Sequence, residues 1–226
     1  MPEDELLYQR QEQLSLRIPS SVTIAGLGGI GSNAAIFAAM SGVEQLYLFD
    51  PDVLEEHNRN RLPFCQGSIG RPKVEVVKDF IYAIRPEAIV VAMPERLEGL
   101  FLQVQLNVSS YILDFTDSPK AQFTIFNACQ KKGVSYIRAG YDGTHITVTS
   151  NVSGWIRTDV EEEQYTVNPS WVVPAVVVAA LAIGKMEKYP DQEVSLDISE
   201  IGVPILKKRP KKLTPSCRVG RIHSYR

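Results

Sequence analysis

Residues 22–32 read Val22-Thr23-Ile24-Ala25-Gly26-Leu27-Gly28-Gly29-Ile30-Gly31-Ser32, an apolar strand that runs through four glycines into an Ala-rich helical stretch. Gly26 permits the tight turn. Gly28 and Gly29 let the backbone approach an oxyanion, and Gly31 lets the helix lie close to the strand while its positive N-terminus faces the ligand. A second strand, Leu46 to Phe49, then delivers Asp50 where a ribose hydroxyl needs an acceptor. Up to this point the pattern suits any nucleotide or dinucleotide binder of the Rossmann type.

The segment after Asp50 separates those ligands. Asp50-Pro51-Asp52-Val53-Leu54-Glu55-Glu56-His57-Asn58-Arg59-Asn60-Arg61 gathers carboxylates, amides and guanidinium groups in one loop, and Lys73 follows in Gly70-Arg71-Pro72-Lys73 before another helix. Hydride transfer has no use for that set, whereas a triphosphate needs several cations to neutralise it and to stabilise the charge around the phosphorus under attack. Further on, Tyr111-Ile112-Leu113-Asp114-Phe115-Thr116-Asp117-Ser118 reads as a strand that ends in two acids at the carboxyl edge of a sheet. An acid there, facing cations, suits a magnesium ion that bridges phosphate oxygens.

With these residues in place, the chain resembles the adenylyltransferases of thiamine and molybdopterin biosynthesis (the ThiF, MoeB and HesA group), which share a domain with ubiquitin-activating enzymes. Five motifs carry the resemblance, in order: Tyr8-Gln9-Arg10-Gln11, the glycine turn, Asp50-x-Asp52 with Asn58 and Arg61, Gly-x-Pro-Lys ending at Lys73, and Asp-x-Thr-Asp ending at Asp117. It covers roughly residues 5 to 190. The resemblance implies that Gly28 and Gly29 line the phosphates of ATP, that Asp50 binds the ribose, and that Asn58, Arg61 and Lys73 contact phosphate. It implies that Asp117 organises Mg2+ and the attacked phosphorus, and that Arg10 crosses a homodimer interface into the neighbour's ATP, although here the link from Arg10 to the first strand is shorter than the family's. The nucleotide-binding candidates are therefore Gly26, Gly28, Gly29, Gly31, Asp50, Asp52, Asn58, Arg61, Lys73, Asp117 and Ser118, with Arg10, Arg61, Lys73 and Asp117 as the catalytic set.

The departures from the family are informative. Members with structural zinc carry paired Cys-x-x-Cys motifs; the three cysteines here, Cys65, Cys129 and Cys217, have no such spacing, so no zinc is expected. Members that form a thioester or persulfide place a cysteine in the crossover loop, here within residues 141–168, which holds none. Cys129 reads as a buried, inert helix position. Cys65 follows the arginine loop without an adjacent cation or histidine to lower its pKa.

The remaining features bound the class. The 226 residues are 44% hydrophobic, enough for one α/β domain with a sizeable core. Residues 201–226 carry eight Lys or Arg and no acid, leaving 16 basic against 26 acidic residues in the rest. We therefore divide the chain into a domain over residues 1–200 and a basic tail over 201–226. Lys207, Lys208, Arg209, Lys211 and Lys212 lie among prolines, so the tail is read as an extended, solvated or partner-docking arm in preference to a nucleic-acid contact, which calls for interleaved aromatics. The acidic run Asp159 to Glu163 is read as solvated surface, and His57 and His145 as isolated polar residues. The longest apolar run, Trp171 to Ile183, is interrupted by Pro174 and is too short to span a bilayer, and the polar N-terminus is no secretory signal. A cytoplasmic protein is expected.

Apolar periodicity predicts helices at Glu3–Leu14, Ser32–Ser41, Lys73–Arg85, Glu98–Leu106, Lys120–Lys132 and Trp171–Met186. Strands are predicted within residues 22–24 and at Leu46–Phe49, Ile89–Met93, Tyr111–Asp114 and Tyr136–Gly140. Such alternation predicts a Rossmann-like, mostly parallel sheet with helices on both faces. The polar and β-branched alternation of Thr144 to Asn151 adds antiparallel structure at the C-terminal side.

The function that follows is ATP-dependent activation of a carboxylate as an acyl-adenylate with release of pyrophosphate, the carboxylate being the C-terminus of a ubiquitin-like or sulfur-carrier protein. Family variants activate a carboxylate on a modified tRNA nucleoside or a peptide terminus. Two alternatives stand beside it: an NAD(P)-dependent oxidoreductase, which the glycine turn and Asp50 support and the loop from Asp52 to Lys73 opposes, and a non-catalytic subunit of the same shape, which the joint presence of Asn58, Arg61, Lys73 and Asp117 opposes.

Overall fold

In a computed structural model that describes residues 3–62, 64, 66–152 and 170–201, the strand Ser21–Ala25 (β1) is buried along its whole length at the centre of a sheet. Its neighbours are the parallel strands Gln45–Phe49 (β2) and Tyr111–Asp114 (β4), flanked by Ile89–Met93 (β3) and Ser135–Asp142 (β5). Beyond β5 the direction reverses: His145–Thr149 (β6) and Val194–Asp197 (β7) are antiparallel, giving the order β3-β2-β1-β4-β5-β6-β7. The two connections that leave β1 and β4 diverge to opposite sides, so the crevice between them opens at the carboxyl ends of the strands.

Helices cover both faces, as the alternation predicts. Val22 and Ile24 of β1 face a core shared with the helices Gly29–Ser41 (α2), Lys73–Ile84 (α3) and Val172–Glu187 (α6). Gly99–Val108 (α4) and Pro119–Lys132 (α5) bury Leu102, Leu106, Ile125 and Cys129 on the other side. Alanines 34, 35, 38 and 39 of α2 and Ala175, Ala179 and Ala182 of α6 are all fully buried, and small side chains let these two helices approach closely. Pro174 stands in the first turn of α6, where its missing N–H has no intrahelical acceptor to lose. On the far face, Thr23 turns its hydroxyl toward Gln105 (2.8 Å) and Ser109 (2.6 Å), pinning α4 to the central strand by a buried polar contact.

Most elements match the sequence expectation within one or two residues, and two differ by more. Helix α2 begins at Gly29, three residues early, because the glycine turn is itself the first helical turn, with Ser32 N–H bonded to Gly28 O at 3.1 Å. Strand β7 is not predicted from the sequence: its four residues behind Pro190, none of them buried, carry little apolar signal. The short helix Glu3–Glu12 (α1) ends two residues before Leu14. No helix among the described residues is long and apolar enough to cross a membrane. The basic tail from 202 onward, residues 153–169 of the crossover loop with its acidic run, Cys65 and Cys217 lie outside the described residues.

Candidate functional site

The turn after β1 is held by contacts that leave only one of its glycines open. Gly26 has φ +84°, and a side chain there would meet the Phe115 carbonyl at 2.9 Å. Gly31 presses on Gly26 O, where a Cβ would lie 1.8 Å away. Gly28, by contrast, has nothing within 4 Å of where a Cβ would stand, so the space above the N-terminus of α2 is clear for a ligand. The amides of residues 29–31 are the first of the helix and lack intrahelical acceptors, which makes this space a natural phosphate seat.

Asp50, the residue after β2, is buried and already tied to this turn. One carboxylate oxygen accepts Leu27 N–H at 2.6 Å and the other accepts Asp52 N–H at 2.8 Å. Burial pushes its pKa above the ordinary aspartate value, opposed by the Lys73 ammonium 3.9 Å away and by the two amides. Lys73 opens α3 with its side chain largely buried, and its ammonium contacts Asp52 at 2.8 Å. Backbone pairing brings it there: Lys73 N–H bonds to Asp52 O, Leu54 N–H to Arg71 O and Gly70 N–H to Leu54 O, so residues 52–54 and 70–73 clamp each other. Leu54, Leu62 and Val76 form a small buried cluster beneath the clamp.

Arg61 reaches the same place from the other end of the loop. Its Cγ and Cδ lie against Gly29, close enough that a Cβ on that glycine would meet them at 3.1–3.2 Å. Its guanidinium donates to His57 O and Asn60 Oδ1. Asn58 is buried and accepts Glu55 N–H on its side-chain oxygen, capping the short 3-10 turn Glu56–Asn60 that aims Arg61. Asn33, which sequence reasoning passed over, donates from its amide to Gly29 O at 2.6 Å and to Arg61 O at 3.4 Å, joining turn and loop. A lone amide in a run of alanines was the available signal, since a buried amide needs partners.

The third wall is the segment after β4. Phe115 N–H bonds to Ala25 O at 2.8 Å, which sets residues 115–117 beside the glycine turn. Asp117 is exposed at this edge, and its carboxylate makes no hydrogen bond among the described residues. Ser118 has another use: its hydroxyl accepts Ala121 N–H and caps α5. Among the described residues no three His, Cys, Asp or Glu side chains cluster as a metal cage. A single exposed carboxylate suits magnesium, which is commonly held by one or two carboxylates together with substrate phosphates and water.

The candidates thus converge, with one exception. The glycine turn, Asp50, Asp52, Arg61, Lys73 and the 115–117 segment share one sheet edge, but Arg10 does not join them. Helix α1 docks on the opposite end of α2, with Tyr8 over Gly42 and Gln11 donating to Ser41 O. The 13 residues of α2 separate Arg10 from the turn by about 20 Å. Cys129 is fully buried in α5, and burial together with the nearby Asp114 charge pushes its thiol up to about 12.

Comparison with known proteins places this geometry in context. The sequence model of the ThiF family matches residues 6–193. The sulfur carrier protein ThiS adenylyltransferase of Escherichia coli K12 is 31% identical over 150 residues, which cover 65% of this chain and 59% of that protein. The match thus spans less than two thirds of that relative's length. Among solved structures, E. coli MccB with ATP superimposes with a TM-score of 0.62 at 20% identity, covering 85% of this chain and 63% of MccB. The E. coli tRNA N6-threonylcarbamoyladenosine dehydratase TcdA gives 0.66 at 19% identity over 80% and 89%. At such identities the two structures speak for the fold, a mostly parallel sheet with helices on both faces and an antiparallel C-terminal extension.

Proposed function

The chain belongs to the ThiF family, and from that premise we propose that it is an ATP-dependent adenylyltransferase, which activates the C-terminal carboxylate of a sulfur-carrier or ubiquitin-like protein. One observation carries the reading most: Arg61 packs on Gly29 while Lys73 stands between Asp50 and Asp52, so two cations flank an open helix N-terminus at one sheet edge. A nicotinamide dinucleotide would find its turn and its Asp50 here but would have no role for both cations. The names of the relatives support the same direction, an adenylyltransferase of a sulfur carrier among them and a neighbour studied with ATP.

In the proposed reaction a carboxylate oxygen of the acyl substrate attacks the α-phosphorus. The bond from that phosphorus to the bridging oxygen breaks, and pyrophosphate leaves with the electron pair. The nucleophile is ionised at neutral pH, so no general base is required. The amides of residues 29–31 receive phosphate oxygens, Arg61 and Lys73 offset the charge that spreads over the leaving group, and Asp50 accepts from the ribose. Asp117 is the residue that would hold magnesium bound with the nucleotide, and the ion would supply charge stabilisation to the phosphates. Arg10 would enter from a second copy of the chain. The cytoplasm, which supplies ATP, is the compartment in which we place the reaction.

The test is ATP–pyrophosphate exchange with purified sulfur-carrier proteins as substrates and C-terminally amidated versions as controls. Exchange should require the unblocked terminus and disappear in Asp117→Ala, and Arg61→Ala or Lys73→Ala should each cost about 2–4 kcal/mol in kcat/KM. Exchange that is indifferent to amidation, or undiminished in Asp117→Ala, overturns the reading.

A further inference from the structure

Asp114 is fully buried at the end of β4, three residues before the proposed magnesium ligand. With no access to solvent it cannot meet a ligand itself. Its carboxylate nevertheless accepts three hydrogen bonds. One oxygen takes both the N–H (3.0 Å) and the hydroxyl (2.7 Å) of Thr116, and the other takes the hydroxyl of Tyr136 on the adjacent strand at 2.9 Å. Arg138, paired with Asp114 in the register of β4 and β5, adds a favourable charge. Burial pushes the pKa of Asp114 above the ordinary aspartate value, opposed by these three hydrogen bonds and by the nearby guanidinium. A carboxylate kept there must serve something that an apolar residue could not.

What it holds is the chain between β4 and α5. Three backbone groups of this stretch are fixed from different sides. Phe115 N–H goes to Ala25 O, Thr116 N–H to Asp114, and Thr116 O receives the Gln122 amide at 2.5 Å. Gly26 lies in contact with the 115–116 peptide, and Ser118 is committed to the cap of α5. The Asp117 side chain is what this pinned segment presents at the open edge.

We infer that Asp114 is a positioning residue: through the two hydrogen bonds it accepts from Thr116 it fixes the backbone on which Asp117 is presented to a nucleotide-bound divalent cation. The inference rests on the adenylyltransferase reading, which supplies the cation. Outer partners of this kind typically change metal affinity by 10- to 100-fold when removed.

The test measures metal binding without turnover. Mn2+ is titrated into protein saturated with α,β-methylene-ATP, and bound manganese is read by electron paramagnetic resonance, with thermal unfolding as the control for integrity. Wild type should bind Mn2+ in a manner that Asp117→Ala abolishes. Thr116→Val, which keeps shape and loses the hydroxyl, should raise the Mn2+ dissociation constant about tenfold at unchanged affinity for the analogue, and Thr116→Ser should restore it. Asp114→Asn should shift it in the same direction as Thr116→Val. If Asp114→Asn fails to fold, the Thr116 pair decides. Wild-type Mn2+ affinity in Thr116→Val, or a Thr116→Ser variant as weak as Thr116→Val, overturns the positioning role while leaving the functional reading intact. Manganese binding that Asp117→Ala does not alter overturns the reading itself, and the inference with it.

Discussion

Gly31 faces the carbonyl oxygen of Gly26 so closely that a methyl group on Gly31 would lie 1.8 Å from it, whereas Gly28, three residues earlier, has nothing within 4 Å. One glycine is needed by the fold and the other by the space above it. Gly31→Ala should therefore destabilise the protein by more than about 3 kcal/mol, since neither backbone can yield without moving α2 off β1. Gly28→Ala should cost no more than about 1 kcal/mol, because its φ of −71° suits alanine. It should still weaken ATP more than tenfold by filling the seat. Denaturant melts paired with calorimetric ATP titrations check both halves, and equal loss of stability in the two variants would contradict the division.

The Lys73 ammonium is the main influence that opposes the raised pKa of buried Asp50. A carboxyl whose folded pKa lies above its unfolded value holds its proton more tightly when folded, so stability falls as pH rises from about 4 through the folded value. Lys73→Met removes the opposing charge and widens that window. As pH rises from about 4 through the folded value the variant should lose more stability than wild type does, and Asp50→Asn in the same background should remove the excess. Parallel slopes in Lys73→Met and wild type would show that Asp50 is not coupled to Lys73.

Cys129 should behave as an inert thiol. With its pKa near 12, roughly one molecule in ten thousand carries the thiolate at about pH 8, and the side chain is fully buried. Iodoacetamide should leave it unmodified in native protein and label it fully in denaturant, as site-resolved mass spectrometry would read. Rapid native labelling at Cys129 would mean that α5 opens far more often than its packing implies.

Much of this was legible because some backbone positions restrict residue type. The left-handed φ of Gly26 and the contact at Gly31 admit glycine alone, so a strand–glycine–helix reading found the turn, and short, mainly apolar runs found β1 to β5. The clamp between residues 52–54 and 70–73 was not legible, since it rests on backbone pairing that side chains do not encode. Nor were the partners of Asn33, since its two acceptors, Gly29 O and Arg61 O, meet only after the loop has folded. Asp114 illustrates the general limit: in sequence it is one of two acids ending a strand, and only burial distinguishes the one that holds the turn from the one that faces solvent. Thr23 and Gln105 make the same point across 82 residues.

The position of Arg10 leads to the last prediction. It stands exposed on α1, about 20 Å from the glycine turn of its own chain along α2, with α1 anchored there by Tyr8 and Gln11. An arginine side chain spans far less than that, so any contribution to the site must come from another copy. Guanidinium binds phosphate through two parallel N–H donors that an ammonium lacks, so Arg10→Lys should lose exchange activity nearly as fully as Arg10→Ala. Mixing inactive Arg10→Ala with inactive Asp117→Ala should then restore activity, because a mixed dimer has one site with both residues intact. At full subunit exchange half of the dimers are mixed and each has one working site, so about a quarter of wild-type activity is expected. No recovery despite exchange shown by mass spectrometry, or full activity in Arg10→Ala alone, would remove Arg10 from the site and leave phosphate neutralisation to Arg61 and Lys73.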